Sequence, residues 1–562
     1  MPSEPQSRAA RPLPEGYYAD NFEIVLDTAV ERYGDLLHPE ELDFYRGYQD
    51  LGSGARRLYV RLISRRPELF RRDRLHYPEI PELDAAITDL LGAGFADRAE
   101  GAEPEEILGL LLRGELAGML RDLTDLAPGS RRKEELLETL LESVEPVDLE
   151  AEVRRRIEIL RPLHREHLVT FRLLFFGNLT QDWTEFVLRD LGVVRFEPYE
   201  LRRDLRLFPD RAAVDHTLLL RQTRSLIGTF LRLGELEAAR ELAAEVWENH
   251  AEWHPSVCRL VDDVLVKVAR ELERRGDLEE ALSFYEAAEA PPARERRARV
   301  LARLGRPQEA LSLCGEIAGG HRDETERAFA PRFAHRMRRQ LGERVAPRPR
   351  RRRPRRQIEI ERLDGVPVEV LALDAVAGDG HEGFFSENWL WRSLFGLAFW
   401  DIVFAPVAGA FQHPFQYGPL DLHSPDFRAA REKAIEERLA ELEADPRPGP
   451  RLLRLYDEKR DVANRLVSWG EDLRPLYELA LSCLNGRHLA AVCDRLSRDV
   501  HRYRRGLPDL FVVDGKTEAG FRLYEVKGPG DQLRPEQSAW IDYLNDHGIP
   551  AAVLRVRWQE DG

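Results

Sequence analysis

Asp509, Glu525 and Lys527 are the residues of this chain best placed to do chemistry together. They sit in LPDLFVVDGKTEAGFRLYEVKG, with Asp509 sixteen positions ahead of Glu525 and Lys527 two beyond it. Leu510–Val513 and Phe521–Val526 are apolar runs flanking Asp514-Gly515 and a polar stretch that ends at Gly520, which predicts a β-hairpin with an extended loop. Side chains alternate faces along a strand, so Glu525 and Lys527 share one face while Tyr524 and Val526 point into a core. Asp509 opens the partner strand, where it can meet Glu525 across the ladder. Two carboxylates and an ammonium at a sheet end suit Mg²⁺ or Mn²⁺ held by oxygen ligands. They suit phosphodiester hydrolysis too: the cation polarises the phosphoryl group and its bound water, and the lysine orients or helps deprotonate that water. An isolated Asp…Glu-x-Lys is equally compatible with a solvated hairpin edge; here the flanking chain favours the chemical reading.

Elements on both sides can hold these residues in place. LNGRHLAAVCDRLSRDV is an amphipathic helix that delivers the chain to Gly506-Leu507-Pro508-Asp509. Beyond the hairpin, Pro535 suits the first turn of a helix whose face carries Gln537, Trp540, Ile541 and Leu544, and Gly548 stops it. A strand over Ala551–Val556 then rejoins the sheet. Upstream, IEIERL and VEVLALDAV are predicted strands, followed by a long apolar helix, SENWLWRSLFGLAFWDIVF, with Ser386 as N-cap and Glu387 in its first turn. The helix dipole favours an ionised Glu387 there, either as a solvated helix end or as a group facing a cation. Residues 424–445 read as a charged helix. Helix, hairpin, helix, strand is the outline of a PD-(D/E)xK nuclease core.

The 562 residues, 43% hydrophobic and 33% charged, describe a soluble chain of three or four domains. Cys258, Cys314, Cys483 and Cys493 include no CxxC pair, so neither a disulfide framework nor a zinc site is indicated. No eighteen apolar residues run together, and the first residues lack the apolar segment of a signal peptide; no membrane partner and a cytoplasmic location are expected. A net charge of −16 argues against a nucleic-acid partner only as a sum, because the basic residues cluster. Arg56, Arg57, Arg61 and Arg65 interleave with Tyr59, Leu62 and Ile63 on a predicted helix, which could track a phosphate backbone or be a solvated face. Arg131, Arg132 and Lys133 open another helix. Seven arginines fall within Arg348–Arg356, read as an exposed linker with a secondary role in DNA contact.

The expected architecture is multidomain and mostly α. A disordered N-terminus (1–16) precedes a helical DNA-binding region (17–145), helical repeats (146–345), the basic linker (346–357) and an α/β nuclease domain (358–562). Leu111–Glu142 reads as helix, Pro128-Gly129 turn, then a helix capped by Ser130, and resembles the SAP DNA-binding motif, placed at about 105–142. Gly234, Gly276 and Gly305 each precede an alanine by five positions after an amphipathic helix. Their intervals of 42 and 29 residues resemble irregular tetratricopeptide repeats, whose period is about 34. Such repeats scaffold or bind a protein partner, or simply join two domains.

GLPDLFVV, YEVKGPGDQL and Glu536–Trp540 resemble the virus-type replication–repair nuclease (VRR-NUC) domain, and FSENWLWRSLFGLAFWDIVF resembles the segment preceding it in the Fanconi-anaemia-associated nuclease family. The order of parts is similar to that family along nearly the whole chain, in a bacterial-type form without a ubiquitin-binding zinc finger. The resemblance implies that Glu387, Asp509, Glu525 and the Val526 carbonyl ligate one or two cations and that Lys527 positions or activates the attacking water. It gives Gln537 either a part in ordering that water or a helix-packing role. It also implies cleavage of branched, 5′-flap DNA near a 5′ end, with 5′ exonuclease activity, in interstrand crosslink repair; a monomer is the default expectation, the sequence leaving the oligomeric state open. The alternative is a restriction-like nuclease or exonuclease whose helical region binds a partner subunit.

Overall fold

The structure, a computed structural model, describes residues 14–181, 183–187, 194–346, 351–377 and 382–559. Residues 1–13 of the expected disordered N-terminus, and 347–350 of the arginine run, lie outside these. The chain divides into two compact units, Ser7–Leu191 and Gly192–Gly562. Among the described residues no helix is long and apolar enough to cross a membrane.

In the first unit, helices Tyr17–Tyr33, Pro39–Asp50, Ser53–Ile63 and Leu83–Gly92 bury Phe22, Leu26, Phe44, Tyr48, Tyr59 and Leu62. Pro39 pre-sets the first turn of its helix, and the His38 N–H donates to Glu41 Oε2 at 2.8 Å, satisfying an end that would otherwise go unbonded. Three short strands, β1 (Phe70–Arg71), β2 (Ala96–Asp97) and β3 (Ile159–Pro162), pair antiparallel with β3 in the centre. Strands of two to four residues carry too little alternation to be read from sequence. A second core gathers Pro104–Gly109, Arg113–Leu123, Lys133–Ser143 and Pro146–Arg156 around Leu116, Met119, Leu120, Leu136, Leu140 and Leu149. The expected cap Ser130 is displaced by Arg132, whose N–H is met by Glu135 Oε2 at 2.9 Å, so that helix begins two residues later, at Lys133. The boundary expected at 146 also moves: Pro146–Arg156 and β3 are integral to this unit.

The second unit begins with antiparallel helix pairs: Arg211–Leu233 with Leu236–Glu248, Cys258–Arg275 with Leu278–Ala287, and Ala293–Arg303 with Pro307–Gly319, closed by Glu324–Gln340. Gly234, Gly276 and Gly305 turn the chain inside each pair at φ of 87°, 101° and 75°, where a side chain would be strained.

The chain then builds a five-stranded sheet: β4 (Arg355–Ile360), β5 (Gly383–Phe385), β6 (Leu510–Val513), β7 (Phe521–Lys527) and β8 (Ala551–Trp558), in the order β4-β8-β7-β6-β5. β4, β8 and β7 are parallel neighbours, whereas β7, β6 and β5 are antiparallel. The two-residue alternation splits the side chains cleanly. Leu510, Val512, Tyr524, Val526 and Leu554 lie under helix Val368–Ala377, and Phe511, Phe521, Leu523 and Val553 pack with Leu394, Leu489, Trp540 and Ile541 on the other face.

Three expectations change here. VEVLALDAV is the helix Val368–Ala377, not a strand; it buries Leu371, Ala372 and Val376, a helical spacing, against the sheet. The apolar helix starts at Leu390 and breaks at Phe399 into Leu390–Ala398 and Trp400–Val403, so Glu387 precedes it, and the Ser386 hydroxyl donates to the Pro508 carbonyl at 3.1 Å instead of capping. The basic linker is part of the nuclease domain: Arg355–Gln357 are in β4, and Arg353 and Arg351 pair with Asp542 (2.6 Å) and Asp546 (2.5 Å) of helix Pro535–Asp546.

Candidate active site

The register of β6 on β7 pairs Leu510 with Tyr524, so the next step outward sets Asp509 opposite Glu525. On the other side β5 pairs Phe385 with Leu510, and the N–H groups of Ser386 (2.8 Å) and Glu387 (3.3 Å) both donate to the Asp509 carbonyl. Three strand ends thus bring Glu387, Asp509 and Glu525 together from across more than a hundred residues. Asp509 Oδ2 accepts from the Val526 N–H at 2.7 Å, and Lys527 Nζ donates to Glu525 Oε1 at 2.7 Å.

Glu525 is completely buried, Lys527 is 9% exposed, and Glu525 Oε2 has no hydrogen-bond partner. A buried carboxylate oxygen without a donor is costly. Burial pushes the Glu525 carboxyl up, Asp509 adds to this, and Lys527 opposes it. Burial raises Asp509 likewise; the Val526 N–H pulls it back while Glu387 and Glu369 push further. Repelling carboxylates around one ammonium form a site short of positive charge, the electrostatics a divalent cation reverses. The donor chemistry, oxygen only, fits Mg²⁺ or Mn²⁺. Among the described residues the one His/Cys/Asp/Glu set drawn within 4.8 Å is His164, Glu166 and His167 of the first unit; the three carboxylates here stand farther apart than that.

Gln537 has a structural task. Its Oε1 accepts from the Arg534 N–H at 2.9 Å, capping its own helix. That helix start presses on the loop carrying Asp509: a Cβ on Gly506 (φ 81°) would stand 2.9 Å from the Gln537 nitrogen.

The arginines expected on DNA are engaged within the first unit. Arg56 donates to Glu23 Oε1 (2.7 Å) and to the Leu51 and Gln49 carbonyls, and Arg57 to the Glu79 and Glu15 carbonyls. Arg61 grips Glu79 Oε1 at 2.7 Å and lies 4.0 Å from the Tyr18 ring centroid. These contacts tie all three side chains into the fold of the first unit. Arg131 donates to the Ala127 carbonyl, Lys133 to that of Gly109 at 2.7 Å, and Arg132, 84% exposed, stands 3.6 Å from Glu135.

Sequence reading missed two groups. Glu369, whose charge acts on Asp509, opens helix Val368–Ala377 and was hidden by the strand assignment. Arg392, Arg465 and Arg504 act on His423, whose pKa is lowered to about 4 by burial first and then by these guanidiniums. Arg504 lies five residues ahead of Asp509, and Arg392 five beyond Glu387.

A sheet of this topology, with two acids and a lysine at its strand ends, defines a phosphodiesterase of the PD-(D/E)xK nuclease class. The VRR-NUC domain family matches residues 447–558, and the family described as FAN1, HTH domain matches residues 16–97. The Fanconi-associated nuclease 1 homolog of Pseudomonas aeruginosa is 35% identical, covering 98% of this chain and 97% of its own. Human Fanconi-associated nuclease 1 is 26% identical over 96% of this chain and 62% of its own. A crystal structure of paFAN1 bound to 5′-flap DNA with a two-nucleotide flap and a gap matches with TM-score 0.82 at 34% identity, covering 98% of this chain and 100% of that one. The chain belongs to the Fanconi-associated nuclease 1 family, and it is a nuclease.

Proposed function

We propose that this protein is a structure-specific, divalent-metal-dependent DNA endonuclease that cuts 5′-flap DNA near its 5′ end, with 5′ exonuclease activity, in interstrand crosslink repair. The observation that carries the chemistry is the buried, unpartnered Glu525 Oε2 beside Asp509. The substrate comes from likeness to paFAN1, which is bound to 5′-flap DNA.

Glu387, Asp509, Glu525 and the Val526 carbonyl would hold Mg²⁺ or Mn²⁺. When bound, such an ion supplies Lewis acidity to the scissile phosphate and an activated water. Lys527, fixed on Glu525 Oε1 at 2.7 Å, orients the nucleophilic water and offsets charge accumulating on the phosphate. The Val526 N–H holds Asp509 in one rotamer. Arg392 and Arg504, placed by sequence near Glu387 and Asp509, and Arg465, which acts with them on His423, supply positive charge for the DNA backbone.

Cleavage of a labelled 5′ flap in Mg²⁺ or Mn²⁺, compared with blunt duplex and single strand, tests the reading. Asp509→Ala and Lys527→Ala are expected to lower kcat by at least about 10³-fold with DNA affinity kept. Unchanged cleavage would remove these residues from the site, and equal cutting of blunt duplex would favour the restriction-like alternative.

A further inference from the structure

Four cations converge where helix Arg211–Leu233 of the second unit packs on helix Cys258–Arg275. Helix Arg211–Leu233 buries Gly228, and a Cβ there would stand 2.5 Å from Lys267 Nζ and 3.8 Å from Arg232 Nη1. Lys267, from helix Cys258–Arg275, therefore rests its ammonium over bare backbone and donates to the Arg224 carbonyl at 2.8 Å. Arg221 and Arg224 stand on the same helix, about two turns and one turn before Gly228, respectively. Arg232 donates to the Thr229 hydroxyl at 2.9 Å, and Arg221 Nε is buried with no hydrogen-bond partner.

The contrast with neighbouring basic residues is sharp. Arg274 and Arg275 share Glu271, and Arg240 is held by Glu237 and Glu280. Among the described residues, Arg221, Arg224, Arg232 and Lys267 enter no ion pair. Burial pulls Lys267 below the ordinary lysine range, and Arg224 and Arg232 pull it further. Arg221 is lowered by burial and by Arg224, with Asp263 acting the other way. In a chain of net charge −16, uncompensated cations gathered around a glycine lack their counter-charge.

We infer that this cradle is a binding surface for the phosphate backbone of a double-stranded arm of the DNA substrate. From Arg221 to Arg232 the helix rises about 16 Å, roughly five base steps along one strand. A linear array of that length fits a polyanion better than a single phosphate. Three guanidiniums and one ammonium supply the donors that phosphate takes. The inference rests on the nuclease reading above and adds where the duplex is held.

The test compares full-length wild type with Arg224→Gln/Arg232→Gln, both exposed positions, by fluorescence anisotropy on a labelled 5′-flap DNA across salt concentrations. Two lost phosphate contacts should weaken binding about tenfold near 0.15 M salt and reduce the slope of log K against log[salt] by about 2. In cleavage, KM should rise with kcat unchanged. Arg224→Lys/Arg232→Lys should recover most of the affinity, since charge carries the contact. Identical affinity and slope in the Gln variant overturns this inference alone, whereas a wild type that binds no flap DNA overturns it together with the flap reading. Loss of polyglutamate binding with DNA binding intact would assign the cradle to an acidic protein and overturn it as well.

Discussion

Glu525 lies where water cannot solvate it, with one oxygen on Lys527 and the other unsatisfied. Asp509 faces it across the ladder, and both carboxyls are raised, by burial first and then by neighbouring carboxylates, Asp509 acting on Glu525 and Glu387 on Asp509. The sign of the consequence follows directly. Above the ordinary carboxylate pKa the unfolded chain is ionised while the folded site still holds protons. Stability of the metal-free protein therefore falls as pH rises from the unfolded value through the raised folded one. Asp509→Asn removes one charge and keeps an oxygen for the Val526 N–H. Scanning fluorimetry in EDTA should show the wild-type Tm dropping about 1–2 °C more than that of the variant between pH 5 and pH 8. Adding Mg²⁺ at pH 8 should restore the wild type only, and parallel curves would mean that the site stores no charge repulsion. These two acids and the lysine were legible in sequence because a strand has a period of two, which decides their side from local spacing alone. Of the two roles the sequence left open for Gln537, the local one is visible: three residues after an N-cap, its oxygen meets the Arg534 N–H.

Elements were legible where periodicity and length agreed, as in the hairpin, the helix Pro535–Asp546 and the helix pairs. Val368–Ala377 failed because valine-rich segments favour strands only when they have a partner edge. Here β6 is already flanked by β5 and β7, and the segment instead covers the sheet face. Glu387 was recognised as a candidate residue but misplaced: Asn388 at φ 64° turns the chain before the helix, so Glu387 hangs from the end of β5 beside Asp509. Gly506 shows how tightly the loop to Asp509 is set. Its φ of 81° disfavours a side chain, and a Cβ would meet the Gln537 nitrogen and the Glu536 carbon, both at 2.9 Å. Gly506→Ala should cost about 1–3 kcal/mol of stability and shift Asp509. Its measurable sign is a kcat reduced at least about tenfold with flap affinity retained; wild-type kcat would show that the loop relaxes elsewhere.

At the scale of the whole molecule the hardest thing to read was which arginines are available to DNA. A run of basic residues declares itself in sequence, but its availability depends on acids that the fold brings from elsewhere: Glu79 to Arg61, Glu23 to Arg56, Asp542 to Arg353. Conversely, Arg221, Arg224, Arg232 and Lys267 are spread through two helices and gather only when Gly228 lets those helices close. Net charge says little about either group, since −16 is compatible with cations that are locally neutralised or locally in excess. The two kinds of arginine should therefore respond differently to loss. Arg61 packs on the Tyr18 ring and is bonded to a partly buried Glu79. Arg61→Ala should destabilise the protein by about 1–3 kcal/mol, because it leaves Glu79 without its counter-ion. The salt slope of DNA binding should stay that of the wild type, since no phosphate contact is lost. Urea unfolding followed by tyrosine fluorescence and anisotropy titrations on the same variant measure the two quantities independently. A slope reduced by about 1 with stability intact would return Arg61 to the DNA surface; lost stability at an unchanged slope identifies it as part of the scaffold.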